Sequence, residues 1–468
     1  MRRVCLTLPT NRACAETIRA VAEEAAYGAR NFGVEVHLLV LDSSEGHVLA
    51  GHRDAVAGLP PVPGVVVHHL DEAEQRAFLR EVVARSGVAG PDRVLDLLLP
   101  SRVSYGACTD RAFLLAEALG CDSVHRRDSD SRYQSRTGSA ESTGTTGSTE
   151  NSGNSGNSGK SGLAGAPDEV GAPVFPIHHE LTSLGRLPAD LVGLVSRSRL
   201  DPACADRPVA MVGGSFVGEM SVDVAEIHRL DPAVYEDVIG LSVPDGYPEI
   251  WRRNLIAEAF RGAGTTPFTR DLSTLTHVSP TRVDMCNIAF TREVYGRVPL
   301  PPATDTIGSD YFLVHVVQGA RLPGVLHNRH IVNFHTDERR SDAGFLAYHR
   351  RLAKYFLSTP YFEAVYGRTA AAGAELLDDG GRVRAAAVAG FVRDSTRLDP
   401  AGNRERLDVV DRSYRKLGGR YAEAAEVLAA ERERLLDEAR TDMEDFALLI
   451  DAWDPLIRST KSVKGITW

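Results

Sequence analysis

The feature that most constrains this chain is a strand–helix–strand pattern within its first 44 residues. Val4–Leu8 is a short apolar run that ends at Pro9-Thr10-Asn11-Arg12. A helix from Cys14 to Asn31 follows, with Ile18, Val21, Ala22 and Ala25 on one face. Val34–Leu41 is a second apolar run, ending at Asp42-Ser43-Ser44. Two strands joined by a crossover helix lie parallel, which makes the fold α/β. Open α/β sheets bind ligands beyond the carboxyl ends of their strands. Pro9, Thr10, Asn11, Arg12 and Asp42 are therefore the first candidate site residues. Asp42 either accepts a hydrogen bond from a ligand's base or ribose, or serves as a turn or helix-cap residue.

The pattern continues with a third strand, Val65–His69, in which His68 and His69 face opposite sides and read as structural. Asp71–Ser86 and Pro91–Leu99 are helical, and so is Ala107–Leu119, which Gly120 closes. The segment Asp122-Ser123-Val124-His125-Arg126-Arg127-Asp128-Ser129-Asp130 then reads as a strand edge followed by two carboxylates at i, i+2. Two hard oxygen donors in a crevice suit a divalent cation shared with substrate phosphates. The alternative is a surface turn with two solvated aspartates.

From Ser135 to Gly165 the chain is dominated by Ser, Gly, Thr and Asn, a composition that buries almost nothing. It reads as a flexible insertion, either a neutral loop expansion or a flap over the site. Arg207–Val212 is a strand ending at Gly213-Gly214-Ser215, and Pro248–Phe260 is a helix. Val283–Phe290 is strand-like; Gly308-Ser309-Asp310-Tyr311 opens a helix through Gln318, with Ser309 or Asp310 placed to cap it. His327–His335 is a strand and loop crowded with histidines. Beyond residue 341 the pattern is helical, and the Arg and Glu/Asp alternation of Asp408–Asp451 reads as a solvated helical tail against the main domain. The expected organisation is residues 1–340 as one domain, carrying the 135–165 insertion, and 341–468 as a helical extension.

A formal charge of -10 with no long Lys/Arg block argues against nucleic acid as a partner. No apolar run approaches the ~18 residues of a spanning helix. Six scattered cysteines without a Cys-x-x-Cys pair favour free thiols and a cytoplasmic location.

Several segments, in this order, resemble glycosyltransferases of the GT-A fold, nearest the large family-2-like group. The first strand ending at Pro9-Thr10-Asn11-Arg12 resembles their opening, and the helix bearing Arg111 resembles the one that leads into their Asp-x-Asp strand. Cys286-Asn287-Ile288-Ala289-Phe290-Thr291-Arg292-Glu293-Val294-Tyr295 resembles their Gly-Asn-x-Ala-x-Arg-Arg-x-x-Phe stretch. Gly308-Ser309-Asp310-Tyr311-Phe312-Leu313 resembles their Gly-Glu-Asp-x-x-Leu helix start, with Ser309 in place of Glu. The basic setting of the first carboxylates, His125-Arg126-Arg127, departs from the pattern and suggests extra phosphate contacts.

The resemblance implies a mostly parallel, Rossmann-like sheet flanked by helices and a metal-dependent, inverting transfer from a nucleoside diphosphate sugar to an unknown acceptor. It assigns Mn²⁺ or Mg²⁺ to Asp128, Asp130 and His335. Pro9, Thr10, Asn11, Arg12, Asp42, Arg111 and Asp128 would hold the donor, Asn287 and Ser309 would lie on the acceptor side, and Asp310 would be the general base. Two other classes remain open. A nucleotidyltransferase acting on a sugar phosphate would normally carry a Gly-rich first loop, and the third possibility is a non-catalytic GT-A-like binding module.

Overall fold

The computed structural model describes residues 1–137, 171–218, 224–243, 247–261, 267–277, 283–334 and 341–463. β1 (Arg3–Thr10), α1 (Ala15–Phe32) and β2 (Glu35–Asp42) form the expected parallel unit, paired from Arg3–Glu35 to Thr10–Asp42. β1 is buried from Val4 to Thr10 and mostly apolar there, because both of its faces are covered. Val4, Leu6 and Leu8 pack under α1 with Val36, Leu38 and Val40, whereas Cys5 joins Leu39 and Leu41 in the larger core opposite. Pro9 is tolerated in this central strand for a reason of register. The odd-numbered residues of β1 bond toward β4 (Ser123–Arg126), as in Arg127 N–H to Thr7 O, and β4 has ended before Pro9 would need a donor.

The remaining strands are β3 (Val65–Leu70), β5 (Ser131–Tyr133), β6 (Arg197–Ser198), β7 (Met211–Gly218), β8 (Ser273–Thr276), β9 (Ile288–Thr291) and β10 (Gly324–Asn333). The sheet runs β3-β2-β1-β4-β9-β7-β10-β8-β6, with β5 pairing β10. Five of these contacts are parallel and four antiparallel, so the sheet is mixed, with parallel pairing the more frequent. β9 is antiparallel to both β4 and β7, so the loop entering β9 lies beside the end of β4.

Two local expectations are corrected. Gly213 and Gly214 lie inside β7 and do not end it: a Cβ on Gly214 would stand 2.6 Å from Asn287 Nδ2, so these glycines clear room for neighbours. Of the strand-like run 283–290, only the part from Ile288 is paired, because the Asp284 carboxylate accepts from Cys286 N–H and bends residues 284–287 into a turn.

α2 (Gly46–Ala57), α3 (Glu72–Ser86), α4 (Pro91–Leu98) and α5 (Tyr105–Ala118) complete the N-terminal half. α3 starts with a reciprocal capping box between Asp71 and Glu74. After residue 341 come helices Asp342–Ala372, Ala385–Ser395, Ala401–Leu417, Gly419–Ala430 and Arg432–Thr460. One hydrophobic cluster runs from Leu39, Val82 and Phe113 through Phe356 to Phe446 and Trp453. The charge alternation of 408–451 therefore marks only outer faces. In the last helix Trp453 is fully buried, and its indole N–H donates to Tyr295 O at 2.8 Å. Ser135 and Arg136, at the head of the Ser/Gly/Asn-rich stretch, form bridges to Pro173 and Phe268, and Thr137 donates to Phe268 O; residues 138–165 of that insertion, and the flap reading with them, lie outside the described residues. Among the described residues no helix is long and apolar enough to cross a membrane.

Candidate active site

The carboxyl ends of β1 and β4 open into a cleft of about 1590 Å³. Its other walls are the N-terminal end of α5, the 284–286 turn, the 308–311 segment and helix Asp342–Ala372. β4 ends at Arg126, which leaves Asp128-Ser129-Asp130 at the tip, where Thr17 of α1 ties the turn down by donating to Ser129 O at 3.1 Å. The basic run before it divides by strand alternation. Arg126 lines the cleft, whereas His125 and Arg127 face the opposite side. There Arg127 makes a fork to Glu24 (2.7 and 2.8 Å) and reaches Glu180 at 3.0 Å, and His125 meets Glu180 at 2.7 Å. The expectation of extra phosphate contacts from all three residues thus narrows to Arg126.

Six arginines line the cleft, among them Arg12, Arg111 and Arg126. Arg12 pairs with Asp130 at 3.0 Å. Arg126, 2% exposed, pairs with Asp310 at 2.7 Å and with Asp128 at 3.8 Å, and its Nε has no partner. Arg111, 7% exposed, donates to Leu98 O at 2.9 Å, leaves its buried Nε unpartnered and forms no ion pair among the described residues. Burial pulls its pKa down against the weaker opposing influence of Cys108, Glu72 and Asp110, yet a guanidinium remains charged at neutral pH, so Arg111 is a buried cation with no carboxylate in ion-pair contact among the described residues. Asp128 is pushed up to about 6, first by burial and then by Asp130 and Asp310, against the opposing pull of Arg126 and Arg12. Burial likewise raises Asp284.

Of the residues expected at the site, Pro9, Thr10, Asn11, Arg12, Arg111, Asp128, Asp130 and Asp310 all line this one cleft. Asp42 does not: fully buried, it accepts from His52 Nδ1 (2.8 Å), His69 Nε2 (2.9 Å) and Ser44 N–H (2.9 Å). Its acceptors are engaged, so the ribose or base role is corrected to a structural one. Cys14, His52 and Asp42 form a line that imitates a nucleophilic triad, but His52 Nε2 already accepts from Cys14 N–H, and burial raises the Cys14 thiol to about 11.

Asn287 and Ser309 are buried outside the cleft lining. Asn287 donates to Ser215 O and Arg329 O, tying β9 to β7 and β10. Neither Ser309 nor Asp310 caps the helix start, because the Asp310 carboxylate turns to Arg126. His68 and His69 point apart as expected, His68 stacking on His37 and His69 reaching Asp42.

His335 lies outside the described residues, and among those described no group of three or more His, Cys, Asp or Glu is assembled for a metal ion. Asp128 and Asp130 fit a divalent cation as a two-carboxylate site that substrate phosphates would complete. Asp128 accepts no side-chain hydrogen bond among the described residues, its contact with Arg126 at 3.8 Å is loose, and burial with Asp130 and Asp310 keeps its pKa raised.

Sequence reasoning missed Cys108, Asp284 and Cys286, which line the cleft from separate segments. It also missed a wall of aromatic side chains from helix Asp342–Ala372. Cys108 sits under the influence of Arg126, Arg111 and Asp128, although burial is the main cause of its raised pKa.

The model of DUF6271, a family of unknown function, matches residues 2–142 and 168–467. The chain belongs to this family. No curated protein matches the chain. The family match includes every cleft residue named above and passes over 143–167, the Ser/Gly/Asn-rich stretch. Deleting residues 143–165 is therefore expected to change Tm by no more than about 2 °C, since that composition buries no core. A larger fall in a thermal melt would show that the stretch contributes to the folded core.

Proposed function

We propose that this DUF6271 member is a glycosyltransferase that takes a nucleoside diphosphate sugar as donor. The observation that carries this reading is Arg111. A buried guanidinium with no carboxylate in contact is stabilised when an anion completes it, and this one, its Nε unpartnered among the described residues, lines the cleft that holds the end of β1 and the Asp128 turn. A diphosphate is the anion that suits such a place, since a guanidinium fork matches phosphate oxygens. Pro9, Thr10 and Asn11 then border the nucleoside. Asp128 and Asp130 would hold Mg²⁺ or Mn²⁺, which supplies charge neutralisation for a departing diphosphate. Arg12 and Arg126 set the orientation of these carboxylates through their ion pairs. Asp310, fixed by Arg126, stands at the cleft wall, where it takes a proton from the acceptor hydroxyl.

The test is calorimetric titration with a panel of UDP- and GDP-sugars, with and without Mn²⁺. Wild type is expected to bind one of them more tightly with metal present. Asp128→Asn and Asp130→Asn should keep their thermal melts and lose the metal-dependent part of binding, about tenfold or more. Equal binding in both variants and wild type, with metal present, would remove the metal assignment. Release of pyrophosphate from a nucleoside triphosphate mixed with a sugar 1-phosphate would instead move the enzyme to the nucleotidyltransferases.

A further inference from the structure

A cleft of about 1590 Å³ exceeds the roughly 300–1,000 Å³ of a common small-molecule site. Arg12, Arg126, Asp128 and Asp130 gather at the β1–β4 end, and helix Asp342–Ala372 contributes Arg351 and Glu363 to the lining. The other end is walled by the helix that follows Asp310 (Phe312–Gly319), together with helix Asp342–Ala372. The two ends meet at Gly308. Its φ is +76°, and a Cβ there would lie 2.9 Å from Tyr355 Cε2, so the Tyr355 ring lies directly on the backbone two residues before Asp310. Further in, His315 and Tyr366 stack with centroids 3.8 Å apart and planes 10° apart. Burial lowers His315 to about 4, so this ring pair is uncharged at neutral pH. Val314, Leu352, Phe356 and Phe362 contribute apolar surface to the lining, with Gln318, Thr359 and Glu363 as its polar members from the same two helices. At the mouth stand Tyr247 and Trp251, 50% and 60% exposed.

We infer that this second half of the cleft is an acceptor subsite for an uncharged aromatic or fused-ring molecule bearing a hydroxyl group. The word acceptor rests on the glycosyltransferase reading; the aromatic binding site does not. Flat rings match stacked and edge-on aromatic walls. A glycan in the same place would meet few polar side chains, Gln318, Thr359 and Glu363 among them, and would set its other hydroxyls against Val314, Leu352, Phe356 and Phe362, where each unmade hydrogen bond disfavours binding. Because Tyr355 packs on Gly308, a ring stacked at Tyr355 would lie within a few residues of Asp310.

The probe is 4-methylumbelliferone, a hydroxylated fused ring, titrated against the full chain by its own fluorescence, with UDP and GDP titrated separately. Saturable binding to wild type is expected. Tyr355→Ala should weaken it about tenfold, and Trp251→Ser, at an exposed position, by a few-fold, with nucleotide affinity unchanged in both. Thermal melts identify any variant that fails to fold, and Trp251→Ser alone then decides. The inference is overturned by the absence of saturable binding to wild type, by unchanged affinity in every folded variant, or by displacement of the probe by chitotriose at equal concentration. If the probe binds as expected and no nucleotide does, the aromatic site stands and the glycosyltransferase reading fails.

Discussion

Asp310→Asn is expected to leave folding and donor binding intact and to lower sugar transfer by about 10²–10⁴-fold, the usual effect of losing a general base. The substitution keeps the side chain's size, and its amide oxygen still accepts from Arg126 Nη1, which now stands 2.7 Å from the carboxylate. Helix capping does not compete as an explanation, because neither Asp310 nor Ser309 caps the helix start. The competing role is that of counter-ion to Arg126, a guanidinium 2% exposed between Asp310 and Asp128. The two roles separate cleanly. A counter-ion lost from a buried pair lowers Tm and leaves the rate per folded molecule nearly unchanged. A base lost from the site leaves Tm nearly unchanged and removes the rate. Single-turnover transfer beside a thermal melt reads both, and a folded Asp310→Asn enzyme within twofold of wild type would reduce Asp310 to a partner of Arg126.

What was legible in the sequence follows from range. β1, α1 and β2 were readable because their apolar periods are local, and the Asp128 turn was readable because Gly120 and the strand before it set its place. Asp42 misled because its partners, His52 and His69, arrive 10 and 27 residues later and take its acceptors away from the cleft. His125 and Arg127 were credited with phosphate contacts although strand alternation, visible in the sequence, separates them from Arg126. The counterparts that draw them to the far side, Glu24 and Glu180, lie 103 and 53 residues away from Arg127. The aromatic wall was hidden for the same reason: Tyr355 and Tyr366 belong to a helix read as an extension, and only the fold brings Tyr355 onto Gly308. Charge alternation in the last helix concealed a buried stripe of Leu435, Met443, Phe446 and Trp453.

Arg127→Leu is expected to cost the fold about 3–5 kcal/mol at neutral pH, because it strands two buried carboxylates. Glu24 and Glu180 are both 0% exposed, and the guanidinium that pairs with them is 1% exposed. Tyr133, Ile177 N–H and His125 remain as donors, but none of them supplies the fixed positive charge. Arg127→Lys should fall between, since an ammonium restores charge without the fork that holds Glu24 at two points. The triple variant Arg127→Leu, Glu24→Gln, Glu180→Gln should regain much of the loss, because the penalty lies in the unpaired charges more than in the missing pair. The pH dependence has a definite sign. Burial acts to raise Glu180, but Arg127 and His125 outweigh it and hold the group at about 2, below its ordinary 4.5. A depressed carboxylate contributes stability above its unfolded pKa and loses it as pH falls toward the folded value. The gap between wild type and Arg127→Leu is therefore widest above pH about 4.5 and narrows on acidification toward about 2. Denaturant unfolding at pH 7 and pH 3 measures it. Equal unfolding midpoints at pH 7 would show that β4, and with it the Asp128 turn, is held by something other than this network.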